Sequence, residues 1–141
     1  MNETIYDRIM RHEGLRLKPY FDTTGNPTIG YGHKITAEQG VSMSTITKET
    51  AEHLLYADVA LARKRVADLF PWSSKLDHLR QEILAEMAFQ LGAEGLLGFH
   101  DFLFHVNSGD YASAAGDMIH SQWHAQTPER CEELAAIMLE G

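Results

Sequence analysis

The sequence predicts an α+β fold: a small N-terminal antiparallel β-sheet lobe joined by a long helix to a mostly helical C-terminal lobe. Three observations predict it. Residues 16–33 set Pro19, Gly25-Asn26-Pro27, Gly30 and Gly32 among Leu17, Tyr20, Phe21, Ile29 and Tyr31, the punctuation of short strands and tight turns. From Thr47 onward Ala51, Leu54, Leu55, Val59, Ala62, Val66 and Leu69 recur at helical spacing and stop before Pro71. Beyond Pro71 every apolar run keeps the three-and-four spacing of a buried helix face. A chain of 141 residues suits one domain, 1–141, and can bury roughly 70% of its unfolded surface. Within it, 1–46 form the first helix and sheet lobe, 47–70 the connecting helix and 71–141 the helical lobe.

The elements follow in order. A first helix is expected over Glu3–His12, capped by Asn2, striped by Ile5, Ile9 and Met10, and stopped by Gly14. After the strands, Lys34–Ile46 reads as a polar connection without periodicity, and Thr47 caps the long helix that runs to Phe70. The next helix starts near Ser74, carries Leu76, Leu79, Ile83, Leu84, Met87 and Leu91, and stops at Gly92. Shorter helices cover Phe99–Val106 and Tyr111–His120, separated by Asn107-Ser108-Gly109. The last opens on Thr127-Pro128-Glu129, which offers a capping hydroxyl, proline at the first helical position and an acid in the first turn. Cys131, Leu134, Ala135 and Met138 point it inward.

Composition removes several function classes. With 12 Lys+Arg against 20 Asp+Glu the net charge is −8, the wrong sign for nucleic acid or a polybasic membrane surface. No run approaches the ~20 apolar residues of a membrane span, and the first eight residues lack the apolar core of a signal peptide. The expectation is a soluble, monomeric chain made in the cytoplasm, with no membrane insertion. The lone Cys131 excludes an internal disulfide and a multi-cysteine zinc site, and reads as a small buried hydrophobe. His120 and His124 are four apart, but a zinc-hydrolase motif needs glutamate after the first histidine, where Ser121 stands. With His100 and His105 they read as surface histidines, so no metal and no cofactor are expected.

Chemistry concentrates in residues 12–33. Glu13 ends a helix and Asp22, nine residues on, lies in the sheet segment, so a hairpin folding back can bring both to one cleft. Thr28 can present its hydroxyl to the same space. Two carboxylates and a hydroxyl suffice for acid/base hydrolysis of an acetal: one acid protonates the leaving oxygen, the other groups position water. Spacing alone leaves open that Glu13 is a helix-end charge and Asp22 a turn residue. Gly30 and Gly32 either keep the strand thin where a chain-like substrate passes or make a tight bend.

Glu13-Gly14-Leu15-Arg16-Leu17-Lys18, Asp22-Thr23 and Thr28-Ile29-Gly30-Tyr31-Gly32-His33 resemble the signature of the phage lysozymes of glycoside hydrolase family 24. Phe89-Gln90-Leu91-Gly92 with Gly95 and Gly98-Phe99 is a second block in the family's order, and Trp123 with Gln126-Thr127-Pro128-Glu129-Arg130 a third. The resemblance implies an inverting hydrolase of the β-1,4 bond between N-acetylmuramic acid and N-acetylglucosamine in peptidoglycan. Glu13 falls at the general acid, Asp22 at the second acid and Thr28 at the threonine that helps hold the attacking water. It implies host-cell lysis, with a holin passing the enzyme from the host cytoplasm to the wall. Arg130 falls beside the acid, and His33 with Asp58 falls at an ion pair tying the small lobe to the long helix. Substrate contacts are expected at Gly30, Tyr31, Lys34, Phe89, Gln90 and Asp117. Lys34 stands where the family has an apolar residue, and Asp117 where it has an amide. Phe89 and Trp123 also read as core, with Phe99 a further aromatic platform. Relatives with a longer segment after the sheet make the 13 residues between His33 and Thr47 a trimmed version. The competing reading is a binding module that keeps the fold without turnover; the intact Glu13, Asp22 and Thr28 weigh against it.

Overall fold

Thr4 starts the first helix, α1 (Ile5–Glu13), through a reciprocal cap. Its hydroxyl accepts from the Asp7 amide at 3.1 Å, and Asp7 Oδ2 accepts from the Thr4 amide at 3.0 Å. This acid three residues on is what selects Thr4 over the expected Asn2, which lies outside the residues the computed structural model describes, 3–40 and 44–141. Gly14, at φ 71°, ends α1 by returning its N–H to the Met10 carbonyl at 3.0 Å.

The chain then forms β1 (Arg16–Phe21), β2 (Pro27–Gly30) and β3 (His33–Lys34), an antiparallel sheet in the order β1-β2-β3. Tyr20 pairs with Thr28, and Thr28 with Lys34, so these three stand in one row across the sheet. A four-residue helix, α2 (Ala37–Gly40), interrupts the segment read as a polar connection. It is too short to show periodicity, and Thr36 Oγ1 starts it by accepting from the Gln39 amide at 3.2 Å.

The long helix α3 spans Lys48–Leu69, with Thr47 Oγ1 accepting from the Thr50 amide at 3.1 Å. Ala51, Leu55, Val59, Ala62 and Val66 are buried. Leu69, the last member of the predicted stripe, is exposed, because Phe70 just past the helix end takes the inward position. The chain divides into two compact units between Leu61 and Ala62. In the first, Ile5, Ile9, Ile29, Tyr31, Ala51, Leu55 and Val59 are buried.

In the second unit Pro71–Lys75 form a 3-10 turn, which delays the next helix. That helix, α4 (His78–Leu97), is capped by Asp77 rather than begun at Ser74, and Leu79 on it is exposed. Gly92 does break it, at φ 78° and ψ 160°, but helical structure resumes to Leu97. The remaining helices are α5 (His100–Ser108), α6 (Tyr111–Ile119), α7 (Gln122–Gln126) and α8 (Pro128–Glu140). At five residues α7 is too brief to read from periodicity; Ser121 caps it. Thr127 does not cap α8 with its side chain as expected, and its hydroxyl turns back to donate to the Trp123 carbonyl at 3.4 Å. Leu84, Met87, Leu96, Phe102, Met118, Leu134 and Met138 form the centre of this unit's core, each contributing about 1.5–3 kcal/mol by burial. Cys131 is buried among them, its thiol pushed up to about 11 by desolvation, which makes it inert. Among the described residues no helix is long and apolar enough to cross a membrane.

Candidate active site

Glu13 is the last residue of α1, and the turn at Gly14 aims the following chain into β1. The carboxylate of Glu13 lies against the backbone of Gly32, in the two-residue turn between β2 and β3. A Cβ on Gly32 would stand 2.7 Å from Glu13 Oε1 and 2.8 Å from its Cδ. Gly32 also holds φ 80°, a left-handed conformation that a side chain resists. Of the two readings of Gly32, the structure shows the tight bend, and the space its missing side chain leaves is taken by Glu13. Gly30, at φ 69°, approaches α3 instead, where an added Cβ would meet Ala51 Cβ at 3.3 Å.

Asp22 sits just past β1 and organises the turn to β2. Its Oδ1 accepts from the Thr24 amide at 2.9 Å, the Thr24 hydroxyl at 2.8 Å and the Asn26 amide at 2.8 Å. Its Oδ2 takes the Lys34 ammonium. The ammonium first, then the turn's N–H donors, hold the carboxyl well below the usual carboxylate range. Thr28 is buried and its hydroxyl donates to the Asn26 carbonyl at 2.9 Å, leaving its oxygen lone pairs as acceptors.

Tyr20, which sequence reading passed over, pairs with Thr28 across the sheet. Burial raises its phenol above the ordinary value, and the charges that act on it further are Glu13, Arg16, Lys34 and Asp22. The guanidinium of Arg16 stands 4.2 Å over its ring. The signal available in the sequence was the strand alternation that places Tyr20 on the Thr28 face. Tyr31, expected as a substrate contact, is buried and offers no open ring face.

His33 Nδ1 faces Asp58 Oδ2 at 2.8 Å, and its Nε2 faces Gln39 Oε1 at 3.0 Å. That Gln39 oxygen also accepts from the Thr36 amide at 3.2 Å, which fixes the orientation of the side-chain amide. With acceptors facing both ring nitrogens the imidazolium is favoured, and the His33 pKa is raised, first by the Asp58 hydrogen bond. The resulting stabilisation is full below the ordinary value of about 6.5 and is lost as pH climbs through the higher folded value. His33→Asn is expected to lower the urea midpoint more at pH 5–6 than at pH 9; equal losses at both would contradict the pairing.

The remaining expected residues lie in the second unit. Phe89 packs, half-buried, against its core. Gln90 Nε2 donates to Thr127 Oγ1 at 3.4 Å. Asp117 Oδ2 is engaged by His105 Nδ1 at 2.6 Å, which raises the His105 pKa, so this carboxylate is held rather than offered. Arg130 is buried, with its Nε 3.9 Å from Oε2 of the fully buried Glu86. Sequence reading missed Glu86, an acid inside the apolar run of α4. His124 pairs with Glu132 at 2.7 Å and His78 with Glu82 at 2.5 Å. Among the described residues no three His, Cys, Asp or Glu side chains gather as a metal site would need.

The chain matches the family model described as phage lysozyme over residues 10–136. It is 31% identical to the pre-baseplate central spike protein Gp5 of Enterobacteria phage T4, over 99% of this chain but 28% of that protein's length. It is 29% identical to probable T4-type lysozyme 1 of Dictyostelium discoideum, covering all of this chain and 96% of the relative. An endolysin of Salmonella phage P22 is 33% identical over 77% of this chain and 73% of its own. With the family model spanning residues 10–136 of the 141, the chain belongs to the phage lysozyme family of glycoside hydrolases.

Proposed function

We propose that the chain hydrolyses the β-1,4 bond between N-acetylmuramic acid and N-acetylglucosamine in bacterial peptidoglycan, with inversion and without a cofactor. The observation that carries this reading is the match to the phage lysozyme model over residues 10–136, with Glu13 seated against Gly32 and Asp22 fixed by its own turn and by Lys34. Glu13 donates the proton to the leaving oxygen. Asp22, with both oxygens already engaged, is a weak base, so it serves as a fixed negative charge against the oxocarbenium-like transition state. Thr28 accepts a hydrogen bond from the attacking water, the only direction its engaged proton leaves open.

In a phage setting the enzyme is made in the host cytoplasm and reaches the wall through a holin. The match to 28% of the length of a pre-baseplate central spike protein supports a second setting for the same chemistry, a domain within a larger spike protein. Purified sacculi incubated with the enzyme and then reduced with borohydride should yield reduced N-acetylmuramic acid ends. The first-formed reducing end seen by proton NMR should be the α-anomer. A β-anomer would contradict inversion, and the absence of new reducing ends would end the hydrolytic reading.

A further inference from the structure

Lys34 is the one expected substrate contact whose charged end is directed at another member of the site. Its position is set by the sheet. Lys34 pairs directly with Thr28 across β2–β3, and Thr28 with Tyr20 across β1–β2. Side chains of directly paired residues project to the same face, which delivers the Lys34 stem to the face where Asp22 follows β1. The stem stays largely in solvent, 57% exposed, yet the ammonium bends back to Asp22, which is only 18% exposed.

We propose that Lys34 is a positioning residue acting through Asp22: it locks the second carboxylate oxygen and keeps Asp22 an anion throughout the working range of the enzyme, without itself contacting substrate. This rests on the reading of Glu13, Asp22 and Thr28 as the site. Three donors from the 22–26 turn fill Oδ1, so a rotating carboxylate would have to release them; the ammonium on Oδ2 removes the remaining freedom. The depressed proton affinity of Asp22 agrees with this geometry. The ionisable groups around this face are Glu13 from α1, Arg16 and Tyr20 from β1, and Lys34 from β3. Without Lys34 the cation left among these groups is Arg16, already stacked on Tyr20. The ammonium thus keeps Asp22 fixed and ionised, as its proposed part in the reaction requires.

The test compares the full chain carrying Lys34→Met or Lys34→Arg with the unaltered protein. Carbon-13 NMR follows the Asp22 carboxyl from pH 2 to 7, and kcat/KM on soluble peptidoglycan fragments is measured across pH. In Lys34→Met the Asp22 midpoint should climb toward the ordinary ~3.9, carrying the acid limb of the rate profile upward, while KM stays within about twofold. Lys34→Arg should restore both midpoints. An Asp22 midpoint unmoved in Lys34→Met would overturn the proposal. So would a KM that rises severalfold over an unmoved acid limb, the mark of a direct substrate contact. The NMR titration needs no substrate, so it judges the lock even if the chain releases no reducing ends from sacculi, the result that would end the hydrolytic reading alone.

Discussion

Glu13→Gln should slow clearing of chloroform-treated Gram-negative cells by about 10²–10⁴-fold while the protein stays folded. Glutamine has the shape of the glutamate it replaces and fits the same space against Gly32, but it has no proton to give a leaving oxygen. The helix that carries it is stopped by the Gly14 amide and not by this side chain. Gly32→Ala makes the complementary case, keeping the acid and disturbing its seat. The new methyl would stand 2.7 Å from Glu13 Oε1, and the flexible carboxylate is the cheaper group to move. Displacing a reacting group by about 1 Å can cost about 10²-fold in rate, and the left-handed backbone at position 32 adds roughly 1–2 kcal/mol of destabilisation. Equal clearing by Glu13→Gln and the unaltered chain would remove Glu13 as the acid. Full activity in Gly32→Ala would show that the seat does not position it.

Arg130→Met should lower stability by about 3–5 kcal/mol, a drop of about 10 °C in Tm for a chain of this size. Glu86 lies at 0% exposure in the middle of α4, where water cannot solvate a carboxylate, and the Arg130 guanidinium in α8 stands 3.9 Å away. The pair need not be a net gain over apolar residues, because desolvating both ions is expensive. Breaking one half is different: it takes away a cation that stands beside a fully buried carboxylate. Thermal melts at pH 7 followed by circular dichroism would read the loss. Adding Glu86→Gln to Arg130→Met should recover at least half of it, because a neutral amide then replaces the buried carboxylate. A single-variant loss under 1 kcal/mol would show that the pair does not carry this part of the core.

The long elements were legible in the sequence because repetition announced them. Ala51, Leu55 and Val59 mark a buried face of α3 several times over, and one wrong member such as Leu69 does not obscure it. The short ones were not. Helices α2 and α7 contain four and five residues, less than two turns, and are started by local caps at Thr36 and Ser121. At the site, residue types and order pointed to Glu13, Asp22 and Thr28, but the supports were hidden for physical reasons. Gly32 is read as a bend until the packing shows whose carboxylate fills the missing Cβ. Lys34 reads as a substrate contact until the register sets it opposite Thr28 and its ammonium meets Asp22. Glu86 breaks an apolar pattern, and its partner is 44 residues away in the chain.

The turn around Asp22 bears on how the sheet forms. All three donors to its Oδ1 come from within four residues of it, so these bonds can close before any distant part of the chain has been found. The same carboxylate would then seed the β1–β2 hairpin on a microsecond timescale and later stand in the finished site. Asp22→Ala and Asp22→Asn are for that reason different experiments. Asparagine keeps an oxygen for the turn and gives up the charge that meets Lys34, whereas alanine discards both. A slow-folding Asp22→Ala beside an Asp22→Asn that folds promptly would separate the residue's part in making the hairpin from its part in the chemistry.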